Sequence, residues 1–187
     1  FFCFIMIEEI KSMILELCTD KEWDWKSHVE SVVKYSKNLA KELDADEEVC
    51  EISAWLHDII KIRDGKRDLH HVNGSEEAVK ILEKYNYPQE KIQQVKHCII
   101  THSSDENYIP ESIEAKIVAS ADALSHFDNL LALAHYAFVL KKESVNQCRE
   151  TLLKKYEKSW KKLLIPEAKE IAKPKYEAIK LILGEQN

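Results

Sequence analysis

Apolar residues recur at three- and four-residue intervals along most of this chain, and little interrupts them. Around the stretch WLHDIIK, Val49, Ile52, Leu56, Ile59 and Ile60 keep helical spacing, so one helix face should turn toward a core. Val29, Val32, Val33, Ser36, Leu39, Ala40 and Leu43 form a second such stripe. No segment shows the two-residue alternation of a half-buried strand. Only three glycines and four prolines occur in 187 residues, so helix breakers are scarce. The expected fold is all-α, a single-domain helical bundle of about seven to nine helices.

Other bulk properties narrow the function. The formal net charge is −6, which gives no basic footprint for stable nucleic-acid binding or for an anionic membrane. Cys3, Cys18, Cys50, Cys98 and Cys148 are far apart, odd in number and without a CxxC pair. They read as reduced thiols, and the expected compartment is cytoplasmic. The opening FFCFIMIEEI is short, lacks a basic leader and runs into acids, so it does not read as a signal peptide; Met6 reads as a natural start. No stretch is long enough to span a membrane.

The coarse element reading runs as follows. A first helix covers Ile7 to Leu17, and Asp24 caps a second. A third begins at Asp44 or Asp46 and carries WLHDIIK. Gly65 marks residues 62–73 as an exposed polar loop. Asn73 with Glu76 resembles a capping box for the next helix, and Pro88 and Pro110 are placed as first residues of two more. Further helices are expected over 129–140, 143–164 and 166–183, with Pro174 kinking or breaking the last.

Four polar residues interrupt these apolar faces: His28, His57, Asp58 and Asp122. Such groups are costly on a buried face unless paired or bound to a metal. Two imidazoles and two carboxylates from three helices make a mixed N/O set suited to one divalent ion, drawn from Mn²⁺, Mg²⁺, Fe²⁺, Co²⁺, Ni²⁺ or Zn²⁺. Four ligands on an octahedral ion leave room for water and substrate, as a catalytic site requires.

The order H…HD…D, as His28, His57-Asp58 and Asp122, resembles the HD-domain superfamily of metal-dependent phosphohydrolases. The flanks DWKSHVESV, AWLHDIIK, HHVNGSEEA, VKHCIITHS and EAKIVASADAL resemble it as well, over residues 20–130. The helices of 131–187 would pack on that core. The resemblance implies that the four residues bind the ion. It also implies hydrolysis of a nucleotide or other small phosphate ester through a metal-activated water, with Asp58 essential. In some relatives the places of His71 and His102 hold second-metal ligands or general acids. Here Ser103 follows His102 where a second ligand would be expected, so His71 and His102 are assigned to substrate contact or proton donation, with one ion.

Lys61, one turn after His57, either reaches a substrate phosphate or is a helix-end lysine favoured by the dipole. Arg63, Lys66, Arg67 and His70 crowd the following loop as a candidate phosphate clamp. Asp105 or Asp128 is a candidate to orient a ligand histidine. His97, His126 and His135 read as surface or core residues, the tryptophans as core, and the lysines of LLKKYEKSWKKLL as a solvated face. The expected partner is a small phosphorylated substrate, a nucleotide first, with a homodimer as the oligomer to test. The competing readings are a non-catalytic nucleotide-binding or sensor HD module and a di-iron HD-fold oxygenase.

Overall fold

The computed structural model describes residues 2–19, 21, 23–103 and 105–184. It is helical throughout, with no strand among the described residues. In order come α1 (Phe2–Leu17), α2 (Trp25–Glu42), α3 (Glu47–Leu56), α4 (Ile59–Asp64), α5 (His70–Lys84), α6 (Gln89–Thr101) and α7 (Ile113–Asp128). They are followed by α8 (Leu130–His135), a π-helical turn (Tyr136–Leu140), α9 (Val145–Lys161) and α10 (Pro166–Leu183). α4 and α8 are six-residue turns, which leaves the longer helices within the expected number.

Local chemistry sets most starts. The Asp24 side chain accepts from Ser27 N at 3.1 Å to open α2, and Asp46 accepts from Val49 N at 3.0 Å to open α3. Ser112 does the same for α7 through Ala115 N at 3.1 Å. Each side chain satisfies a backbone N–H that the first helical turn leaves unpaired. Ser144 and Gln147 form a full capping box at α9.

The core follows the apolar stripes. Val29, Val32 and Leu39 of α2, Ile52 and Leu56 of α3, Ile92 and Ile99 of α6, and Ile117 and Val118 of α7 are all buried. α2 packs on α3 and α7, α6 lies against α3, α5 and α7, and α9 and α10 pack on each other and on α7. The histidine- and aspartate-bearing ends of α2, α3 and α7 are thereby brought together.

Several boundaries differ from expectation. WLHDIIK is not one helix: α3 ends at Leu56, and Asp58, at φ −112° and ψ 17°, separates it from α4. That backbone region is sparsely populated and recurs at active sites. The loop after α4 is only residues 65–69, because α5 already starts at His70. Asn73 therefore lies inside α5 and caps nothing; its own N–H bonds to Leu69 O at 2.9 Å. Pro88 precedes α6 as its cap residue rather than opening it. Ser112, not Pro110, starts α7, because its hydroxyl offers an acceptor that proline lacks. α10 runs unbroken through Pro174.

Gly65 ends α4 in the left-handed region, at φ +67°, with its N–H bonded to Lys61 O at 3.0 Å. A Cβ there would meet no atom within 4 Å, so only the backbone resists substitution. Gly65→Ala is expected to cost about 1 kcal/mol, read as a lower urea midpoint with an unchanged slope. No change in the midpoint would show that the turn relaxes freely.

Candidate metal centre

The break at Asp58 explains how two neighbours serve one centre. On an unbroken helix adjacent side chains diverge by about 100°. Here the chain turns after His57, and His57 Nε2 lies 3.6 Å from Asp58 Oδ2. α2 brings His28 Nε2 to 3.2 Å from His57 Nε2 and 3.7 Å from Asp58 Oδ2. α7 adds Asp122, whose Oδ1 lies 3.5 Å from His28 Nε2 and 3.8 Å from His57 Nε2. All four side chains are buried.

The hydrogen bonds around these rings assign their protons. His57 Nδ1 lies 2.7 Å from Ala54 O, an obligate acceptor, so Nδ1 carries the proton and Nε2 a lone pair. Ser125 donates its hydroxyl to Asp122 O at 2.7 Å and so accepts from His28 Nδ1 at 2.9 Å, which leaves His28 Nε2 unprotonated too. Two lone pairs thus face each other at 3.2 Å, beside two carboxylates. Acceptors aimed at acceptors repel in a buried site, and a shared cation turns that arrangement into a favourable one. The donor set fits a divalent ion.

A second group adjoins the first. His102 Nδ1 donates to Ile99 O at 2.6 Å, and His70 Nδ1 to Arg67 O at 2.7 Å. Their free Nε2 atoms lie 3.4 Å and 3.7 Å from Asp58 Oδ1. His70 Nε2 is buried without a hydrogen-bond partner. Asp58, His70 and His102 therefore form a second set of converging ligand atoms, with Asp58 common to both.

Electrostatics keep these groups in ligand form. Burial strips solvent from the imidazoles and pushes His28 and His102 down to about 4 and His70 to about 3. Neutral imidazole is the form that binds metals. Burial would raise the Asp58 carboxyl, but Lys61 and the rings of His57 and His102 hold it well below its usual range. At Asp122 burial is likewise outweighed, by Lys162, His126 and His28.

The centre forms the floor of a cleft of about 380 Å³. Lys61, Arg67 and His70 line it. Lys61 lies 2.9 Å from Asp58 Oδ1, and Arg67 stacks over Tyr136 at 5.0 Å. Two members of the expected clamp do not reach it. Arg63 is held by Asp64 and Glu77 at 2.8 Å and 2.6 Å, and Lys66 is exposed outside the lining. His71 also stays out. It is buried behind His70, at 5.3 Å between ring centroids, with Nε2 3.2 Å from Asp105 Oδ2. Asp105 thus meets a histidine, whereas Asp128 is engaged by Tyr35 and Lys175.

The sequence reading missed three groups in the cleft. His126 is not a bystander: Ser159 donates to Lys155 O and accepts from His126 Nδ1 at 3.0 Å, leaving Nε2 free 3.9 Å from Asp122 Oδ1. Its spacing of four from Asp122, one helical turn, was the available signal. Lys155 of α9 and Lys162, its C-cap residue, also face the cleft, and Lys162 pairs with Asp122. Trp23 and Trp25 line the same cleft rather than the deep core.

Comparison with known proteins places this geometry. The chain is 33% identical over 116 residues to the tRNA (cytidine(56)-2'-O)-methyltransferase of Picrophilus torridus, covering 57% of this chain and 33% of that protein. It is 37% identical over 89 residues to Ribonuclease Y of Alkaliphilus metalliredigens, covering 46% of this chain and 16% of that one. The chain thus spans a third or less of these curated relatives. The structure of Bacillus subtilis YpgQ in complex with ADP shares the fold, with a TM-score of 0.75 at 20% identity over 97% of this chain and 94% of that one. No helix among the described residues is long and apolar enough to cross a membrane. Residues 25–126, more than half of the chain and the span from α2 to His126 that carries every ligand atom of the centre, match the HD domain family, and the chain belongs to it.

Proposed function

We propose that this protein is a metal-dependent phosphohydrolase acting on a small phosphate compound, a nucleotide first among them. The observation that carries the reading is the set of unprotonated Nε2 atoms of His28, His57, His70 and His102 facing Asp58 and Asp122 below a lysine-lined cleft. A divalent ion bound there supplies a Lewis acid that polarises a phosphoryl oxygen and makes water a better nucleophile.

The chain's own groups supply the rest. Lys61 and Lys162 sit beside the two carboxylates, where their ammonium groups meet the non-bridging oxygens of a phosphate. Trp25 and Leu152 contribute apolar wall beside these charges, and a lower local dielectric strengthens charge contacts. His102, held through Nδ1 by Ile99 O, turns its Nε2 toward Asp58, where it would take the proton that attacking water releases. The complex of YpgQ with ADP supports a nucleotide for this fold, and the likeness to Ribonuclease Y keeps phosphodiesters in the test panel.

The test is release of phosphate or pyrophosphate from nucleotides and simple phosphoesters with Mn²⁺ and with EDTA. Release that EDTA abolishes is the expected result, and the product reports which bond breaks. No release from any compound would sink the reading in favour of a sensor module or an oxygenase, and release unaffected by EDTA would remove the metal from the chemistry. Ion content by mass spectrometry settles the number of ions. Two per chain would make His70 and His102 ligands; one would leave His102 as the proton acceptor.

A further inference from the structure

Lys155 and Lys158 of α9 and Lys162, which caps its C-terminus, follow one another at spacings of three and four. On a helix they fall within about 60° of each other and extend about 10 Å along the axis. All three line the cleft over the metal centre, yet α9 lies outside the part of the chain that matches the HD domain. Their charge balance is uneven. Lys162 is matched by Asp122 and, across the cleft, Lys61 is matched by Asp58. Lys155 and Lys158 have no carboxylate within 4.0 Å among the described residues.

Lys158 is exposed, but Lys155 is half-buried, and an unmatched cation partly withdrawn from water is unfavourable. Burial, together with crowding by Lys162, Lys61 and Lys158, pushes Lys155 down to about 8 despite the pull of Asp122. The cleft therefore holds more positive charge than one phosphoryl group at the centre would meet. The surplus sits on half-buried Lys155, which feels Asp122, Lys162 and Lys61, and farther out on exposed Lys158.

We propose that Lys155, with Lys158 beyond it, determines specificity by binding the second and third phosphates of a polyphosphate chain, so that the cleft selects ligands with consecutive phosphates over monophosphates. The inference rests on the phosphohydrolase reading and names the substrate class of that same site. Lys162 and Lys61 hold the phosphate nearest the centre; Lys155 holds the next.

The test is calorimetric titration of metal-saturated protein, at constant free Mn²⁺, with inorganic phosphate, pyrophosphate and tripolyphosphate. Wild type is expected to bind tripolyphosphate at least about tenfold more tightly than phosphate. Lys155→Gln should weaken pyrophosphate and tripolyphosphate by about tenfold and phosphate by less than about twofold, and Lys155→Arg should recover most of the loss. Lys158→Gln, at an exposed position that leaves folding intact, should weaken tripolyphosphate selectively. Equal weakening of all three anions, or of none, overturns the proposal. The two readings fail separately. A chain with this binding pattern that hydrolyses nothing keeps the subsite and loses the hydrolase; a hydrolase indifferent to phosphate number keeps the activity and loses the subsite.

Discussion

Asp58→Ala is expected to lower hydrolysis by at least about 10³-fold and to leave it low at any Mn²⁺ concentration. Asp58 links two groups of converging ligand atoms: Oδ2 faces His28 and His57, and Oδ1 faces His70 and His102. Removing it takes away the negative charge that offsets the ion at each place, and no neighbouring acid can move in, since Asp122 is tied to Lys162. The fold should survive. The side chain removed is small, and Lys61, which loses its partner, has a side chain 21% exposed and can turn to water. The measurement is initial rate against Mn²⁺ concentration, with bound ion determined on the same samples. Wild-type turnover in the variant would remove the proposed centre from the chemistry. An inactive variant that keeps its full complement of ion would show that Asp58 acts on the proton or the substrate rather than as a ligand.

How much of this could be read from the chain depends on what each residue touches. His28, His57, Asp58 and Asp122 were legible because each breaks an apolar stripe, and a polar group on a buried face demands a partner. The helix break between His57 and Asp58 was not, because Leu56, Ile59 and Ile60 keep helical spacing straight across it; only the backbone of Asp58 records the turn. Asn73 and Glu76 had the letters of a cap but sit inside α5, where the backbone donors are already used. Arg63 had the right charge beside the site, yet Glu77, fourteen residues on, claims it.

α9 shows the limit most plainly. LLKKYEKSWKKLL has the composition of a solvated face, and Lys154 and Lys161 are indeed exposed. Whether Lys155 and Lys162 meet solvent or substrate depends on which side of α9 packs against α7, and that is a tertiary fact. Periodicity fixes which lysines share a face and says nothing of what the face looks at. His126 is the opposite case: read as a surface or core residue, it lies one turn from Asp122, and that spacing alone places it on the same face.

Ser125→Ala tests whether the proton assignments, rather than the mere presence of histidines, make the centre. Ser125 is buried in α7 and touches neither substrate nor ion in the proposed arrangement. Its hydroxyl is committed to Asp122 O, so it can only accept from His28 Nδ1, and that contact keeps the lone pair of Nε2 on the metal side. Without it the ring can take either tautomer and rotate, and its Nδ1–H is left buried and unpaired. Partners of this kind are worth about 10–100-fold in metal affinity, so the Mn²⁺ titration of the variant should shift by that factor. The orphaned donor should also cost about 1–3 kcal/mol of stability in the metal-free protein. The signature that separates this from Asp58→Ala is rescue. Excess Mn²⁺ should restore most of the rate to Ser125→Ala, because all ligand atoms remain and only their orientation is lost, whereas it should restore none to Asp58→Ala. An unshifted Mn²⁺ titration would mean that His28 is oriented by its packing against Trp25 and His126. A shifted titration with a rate that excess ion does not recover would mean that Ser125 governs the geometry of the reaction itself, through the backbone of Asp122.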